Sequence, residues 1–282
     1  MRKSIQIPSY CGLSSSAEED HSRRLPASYF CRMNLQIFFR SGIKAIYNRI
    51  PTGLRSILFR GTARYCPLCN SNVRQFYPAG LDRRPDARCP VCNSLERHRL
   101  FYKLTEEHTD LFDGAEKHLL HIAPEEGIEK LLRELPNVHY LSADLEDTNA
   151  MVRMDITDIQ YPAESFDVIF CSHVLEHVPD DRRALREFYR VLKPGGWCGI
   201  QIPVTDAVTF EDPTVTDPEK RLRIFGQRDH VRRYGPDVRD RMEAAGFAVH
   251  EFTTETVASE EEIVRMGLMR NDRFYLCRKD GD

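Results

Sequence analysis

Four cysteines fall into two matching pairs, Cys66-Pro-Leu-Cys69 and Cys89-Pro-Val-Cys92, each followed by an asparagine. A Cys-x-x-Cys turn sets two thiolates on one side of a small knuckle. Two facing knuckles complete the closed, tetrahedral four-sulfur set that structural zinc prefers, leaving no coordination position for water or substrate. The stretch between the pairs, VRQFYPAGLDRRPDAR, is too polar and too broken by Pro and Gly to bury a core, so the ion's work there is folding. A redox pair would need only one of the two motifs. A second group, Ser172, His173, Glu176 and His177, crowds the end of an apolar run and could take or give a proton. His173-x-x-Glu176-His177 also fits the H-x-x-E-H spacing of inverted zinc peptidases, but Pro179 prevents the long helix that chemistry needs. A substrate-facing base, a structural histidine and a metal ligand all stay open for this tip.

The elements that must position these side chains follow from patterning. Phe166 to Cys171 is apolar and rich in β-branched residues, as in a strand buried on both faces of a parallel sheet. The polar tip then lies beyond the carboxyl end of that strand, where open α/β sheets bind ligands. Asp180 can cap a helix that places Leu185, Phe188, Tyr189 and Leu192 at helical spacing. Pro194-Gly195-Gly196 stops it before a strand from Trp197 to Val204. Upstream, HLLHIA (118–123) reads as a buried strand, Pro124 to Gly127 as a turn, Ile128 to Leu135 as a helix, and Val138 to Ser142 as a strand running out at Asp144. In nucleotide-binding α/β folds the acid at that point accepts hydrogen bonds from ribose hydroxyls. Asp155 and Ile156 close a third strand, MVRMDI, with a cap for the following TDIQY segment as the alternative for Asp155. After Val204 comes a long polar insertion of the kind that forms lids or binding loops. A helix from Val238 to Ala245 and strands Phe247 to Thr253 and Phe274 to Arg278 follow.

With 282 residues, 41% of them hydrophobic, the chain can hold one large domain and a small accessory one. Its 29% charged content and lack of a long apolar run make no case for a membrane span or secretory signal, and a cytoplasmic location is the default expectation. Nine cysteines in such a compartment are not a disulfide framework. Cys171, Cys198 and Cys277, in apolar strands, read as packing. The net charge of −3 conceals a division, because residues 1–105 hold 18 Lys/Arg against 6 Asp/Glu. Residues 1–31 show no sustained period and read as disordered. Residues 32–64 carry seven Lys/Arg and no acid, with Leu35, Phe39, Ile43, Ile46, Ile50, Leu54, Ile57 and Leu58 at helical spacing. That is the composition of a surface-lying membrane segment or of a helix docked on a partner, with internal packing as the plainer alternative. LERHRLFYKLTEEHTDLF reads as a helix with Leu95, Leu100, Phe101 and Leu104 on its apolar side, and its His98 and His108 read as solvated.

The FDVI…HVLEH…VLKPGG pattern of residues 166–196 resembles the later motifs of class I S-adenosylmethionine-dependent methyltransferases of the type 11 group, and the likeness can be followed from about residue 117. The resemblance implies a Rossmann-like, seven-stranded, mostly parallel sheet with an antiparallel edge strand, here preceded by a zinc-ribbon-like module. The organisation expected is a basic helical segment at 32–64, the cysteine module at 65–95, a connecting helix at 96–116 and the methyltransferase domain at 117–282. It further implies S-adenosylmethionine as cofactor, with His121, Ala123, Glu125, Asp144, Asp155, Ile156 and Ser172 as cofactor-binding positions, and His177, His173 and Glu176 as catalytic candidates. Members of the family carry several glycines in the first loop; HIAPEEG (121–127) has one. The expected acceptor is a small molecule, a sugar or a lipid-linked compound, with peripheral membrane contact through residues 32–60. An RNA- or ribosome-directed enzyme gripping phosphate through the basic front end, and a non-catalytic protein that binds the cofactor, are the alternatives.

Overall fold

The computed structural model describes residues 50–80, 83–146 and 149–281. The expected disordered stretch 1–31, and the part of the basic segment before residue 50, lie outside the described residues. From Thr52 onward the chain forms one compact unit.

The cysteine module is two short antiparallel pairs. Strands β1 (Arg60–Cys66) and β2 (Ser71–Val73) flank a single 3-10 turn at Pro67–Cys69, and β3 (Tyr77–Ala79) pairs with β4 (Arg84–Arg88). Asn70 closes the first knuckle at φ 48°, a left-handed conformation that asparagine tolerates better than most residues. A helix, Glu96–His108, leads from the second knuckle to the main sheet.

That sheet has seven strands in the order β12-β13-β9-β8-β5-β6-β7. They are β5 (Lys117–Ile122), β6 (Val138–Asp144), β7 (Val152–Arg153), β8 (Phe166–Ser172), β9 (Leu192–Gln201), β12 (Ala248–Thr253) and β13 (Arg273–Arg278). Pairings from β7 through β9 are parallel, and β13 runs against both β9 and β12, which makes the antiparallel edge. Alternation along the central strands divides the core between the two faces. Leu119, Val168, Phe170 and Trp197 meet Phe101 and Leu104 of the helix Glu96–His108, whereas Leu120, Ile169, Cys171 and Cys198 meet Leu185 and Phe188 of the helix Asp181–Val191. The three strand cysteines are fully buried.

The Asp180 carboxylate accepts from the Arg183 amide at 2.9 Å, capping the helix that follows it. Pro194-Gly195-Gly196 does not separate that helix from the next strand, as the sequence suggested. The chain enters β9 at Leu192, and the three residues form a bulge, the register jumping from Phe166↔Leu192 to Val168↔Trp197. Gly195 at φ 77° takes the conformation the bulge requires. The insertion after β9 is structured. Strands β10 (Phe210–Glu211) and β11 (Arg232–Arg233) pair antiparallel around a helix, Pro218–Phe225. Among the described residues no helix is long and apolar enough to cross a membrane. Leu54, Ile57 and Leu58 are exposed on the short helix Thr52–Leu58, while Arg55 turns inward to the Val91 carbonyl.

Candidate active site

A cleft of about 610 Å³ opens along the carboxyl ends of β5, β6 and β8, a volume suited to a nucleoside-sized ligand. Ile122 and Ala123 line it from the end of β5, Asp144 from the end of β6, and Asp155 and Ile156 from just past β7. His173, Val174 and His177 line it from the tip after β8, and Asp229 from the insertion. Parallel strands that stop in register bring these residues together although they are spread over more than a hundred positions.

Two carboxylates face one side. Asp144 Oδ1 accepts from the Glu146 amide at 2.7 Å, and Asp155 Oδ1 accepts from the Thr157 amide and hydroxyl, both at 2.8 Å. These short turns fix each carboxylate at the rim. Opposite them, His173 is held at φ 53° with its amide bonded to the Gln201 carbonyl at 2.8 Å and its Nδ1 3.3 Å from Glu176 Oε1. Ala123 at φ 48° makes the matching left-handed turn after β5. A Cβ in that region of backbone space carries a conformational cost, and such outliers gather at functional sites.

Three residues expected at the cofactor lie elsewhere. His121 points away from the cleft, fully buried, with Nδ1 2.9 Å from the Tyr140 hydroxyl; burial pushes its pKa down to about 3, so it is neutral. Ser172 is buried behind the strand end. Glu125 turns outward from the loop toward the helix Glu96–His108. There Arg97 Nε donates to both of its oxygens, at 3.0 and 3.2 Å, and His98 Nε2 lies 3.1 Å away. Burial alone would raise the Glu125 pKa, but the hydrogen bonds and charge of His98 and Arg97 hold it far below the carboxylate range. His98 is therefore not a solvated helix residue. Its ring is 3% exposed and accepts from the Leu95 amide at 3.2 Å. A Cβ on Gly127 would come within 2.6 Å of that ring, which accounts for the loop's one glycine.

The tip after β8 is braced in the same manner from the insertion, a support that sequence patterning missed. Arg232, 2% exposed, donates to the carbonyls of Leu175, Val178 and Pro179, and the Tyr234 hydroxyl donates to Asp181 at 2.7 Å. The signal was present in the basic run RDHVRRY (228–234), but nothing in its spacing says which carbonyls it meets.

The four knuckle cysteines converge with their sulfurs within 4.8 Å of one another, Cys66 to Cys92 at 3.6 Å and Cys69 to Cys89 at 3.8 Å. A tetrahedron of zinc–sulfur bonds near 2.3 Å has edges of about 3.8 Å, so the donors fit that ion. Arg99, fully buried, ties this module to the rest. It donates to carbonyls of Ala87 and Ser94 on the module side and of Met266 and Gly267 on the other, and it lies 4.1 Å over the Phe76 ring.

Residues 125–200, which include β6, β7, β8 and most of β9, match the family described as a methyltransferase domain. The 27-O-demethylrifamycin SV methyltransferase of Amycolatopsis mediterranei is 36% identical over 95 residues, 33% of this chain and 34% of that protein. The sterol 24-C-methyltransferase of Aspergillus fumigatus is 34% identical over 76 residues, 27% and 19% of the two chains. The chain thus spans about a third or less of the curated relatives it matches. The solved S-adenosylmethionine-dependent methyltransferase of Mesorhizobium loti superposes with a TM-score of 0.43 at 16% identity, covering 58% of this chain and 90% of the other. The matched segment, residues 125–200, carries the β6, β7 and β8 ends that line the cleft and so resembles a methyltransferase domain there.

Proposed function

We propose that the chain is an S-adenosylmethionine-dependent methyltransferase acting on a small-molecule, sugar or lipid-linked acceptor, with a structural zinc ion in the four-thiol site. The observation that carries this reading is the cleft with Asp144 at the end of β6 and Asp155 past β7, inside or beside the segment that matches the methyltransferase family. The cofactor supplies a methyl group already activated on a sulfonium. The chain's part is to align acceptor and methyl in a site that excludes water. Asp144 accepts hydrogen bonds from the ribose hydroxyls, and Asp155 and Ile156 take the adenine. The Ala123–Gly127 turn, anchored through Glu125, shapes the other end. His173 and His177, with Glu176 behind them, stand where an acceptor proton would leave. The reading also accounts for the glycine-poor loop. The cofactor has no phosphates to cradle, and the loop takes its shape from Arg97 and His98. Incubation of the full chain with methyl-labelled cofactor and fractionated lysate tests it. Label should enter one chemical fraction and, at cofactor concentrations below the parent's Kd, fall about tenfold or more in Asp144→Ala. Labelling of no fraction, with cofactor bound, would favour a non-catalytic binding protein.

A further inference from the structure

Glu176, His177 and His230 present ligand atoms that all lie within 4.8 Å of one another, and His177 among them lines the cleft. Glu176 and His230 are 1% and 6% exposed, and Glu176 Oε2 and His230 Nε2 are buried with no hydrogen-bond partner. A carboxylate oxygen and an imidazole nitrogen left so are costly, and each such group calls for a reason. Both are held in place. Glu176 Oε1 is 3.3 Å from His173 Nδ1, its backbone carbonyl accepts from the Val231 amide at 2.9 Å, and the His230 ring is steadied by the backbone at Phe225. The His177 and His230 rings stand edge to face with centroids 4.6 Å apart, and Asp229 Oδ2, 3.1 Å from His177 Nδ1, brings a fourth donor to the cluster's edge.

We propose that Glu176, His177 and His230 form a binding site for one divalent transition-metal ion, open toward the cleft on the side of His177 and Asp229. Two imidazoles and one carboxylate suit zinc, cobalt, iron or manganese far better than calcium or magnesium, which take oxygen shells. Three protein ligands leave coordination positions for an outside oxygen, unlike the closed four-sulfur set. His230 comes from the insertion, so the site exists only because Arg232 and Val231 fasten that segment to the tip. The site stands on this geometry. Its role, to bind an oxygen of the acceptor and leave His173 to receive the proton, rests on the function proposed above.

The test uses the full chain, dialysed against a mild chelator until about one metal ion per chain remains in the thiol site, and then titrated with Co2+. One further equivalent should bind, giving d–d absorption of a nitrogen and oxygen site without thiolate charge-transfer bands. His230→Ala should weaken that binding at least about 100-fold, since even residues outside the ligand set cost 10- to 100-fold. Glu176→Gln, which keeps the side-chain shape, should also weaken it and serves if His230→Ala does not fold. Failure of the parent chain to take up a second equivalent, or equal Co2+ affinity in the folded variants, overturns the proposal. Calorimetry with S-adenosylmethionine on the same samples separates the two readings. Cofactor binding without Co2+ uptake removes this site alone, and Co2+ uptake without cofactor binding supports the site while removing the cofactor reading.

Discussion

The loop after β5 and the loop after β8 leave neighbouring strands and form adjoining walls of the cleft, and neither holds its own shape. After β5, Glu125 is gripped by Arg97 and His98, which follow the second cysteine knuckle by a few residues. After β8, the carbonyls of Leu175, Val178 and Pro179 are gathered by Arg232 from the insertion. Both loops turn on a non-glycine residue at positive φ, Ala123 and His173. The braces differ in what stands behind them. Arg97 depends on a module with little core of its own, Val73, Phe76 and Val91 beside the buried Cys66 and Cys89, whereas Arg232 lies in a network with Asp181, Glu211 and Arg241. If the thiol site holds zinc as proposed, the β5 wall is the one that ion would control.

The largest expected effect breaks that wall. Cys89→Ser should lower the metal content of the chelator-dialysed chain below one equivalent and cost about 5 kcal/mol or more, because structural zinc sites contribute folding energy outright. At this chain's size that is a fall of roughly 10 °C or more in the unfolding temperature. Unchanged metal content and melting would detach the knuckles from the fold. Arg232→Ala tests the other wall. It strips a buried guanidinium from three carbonyls and two carboxylates, so a loss of about 3–5 kcal/mol is expected in chemical denaturation. A loss below about 1 kcal/mol would show the tip to be self-supporting.

Arg97→Ala sharpens the contrast, because the pair it breaks is part-exposed, about 19% on each side. A smaller cost of about 2 kcal/mol follows, together with weaker cofactor binding while Co2+ uptake at the tip persists. Lysine at 97 should restore little, lacking the paired donors that reach both Glu125 oxygens. Loss of both functions together in a folded variant would mean the walls are not independent.

The smallest effect concerns Asp272, beside His173, whose pKa burial pushes up to about 6 against the His173 and backbone interactions that lower it. Its protonated form is the one the folded chain favours. Its stabilisation is therefore complete below the ordinary value of 3.8 and is lost as the pH rises through about 6. Asp272→Asn, with no proton to lose, should exceed the parent chain by about 2 kcal/mol near pH 8 and match it near pH 4. A constant difference across that range would place the cause elsewhere.

How much of this was legible in the sequence depended on whether the cause was local. The strand Phe166–Ser172, the cap at Asp180 and the paired knuckles are written in neighbouring residues, and patterning finds them. Pro194-Gly195-Gly196 reads as a turn although it forms a bulge, because the same residues serve both and only pairing with β8 decides. Glu125 is given to the cofactor by the resemblance because it sits in the right loop. Its partners lie 28 and 27 positions away on another element, and no periodicity announces them. His98 reads as solvated for the same reason, and nothing local marks His230 or Arg232 in a polar insertion. Long-range polar contacts between loops leave no local trace.

The central claim is that the cleft binds S-adenosylmethionine through Asp144, and calorimetric titration of the full chain tests it most directly. The account predicts one site per chain and an affinity at least about tenfold weaker in Asp144→Ala. That factor is what losing a charged acceptor's hydrogen bonds, about 1.5–3 kcal/mol, converts to. Equal affinity in the two proteins, or no binding heat in the parent chain, would contradict it.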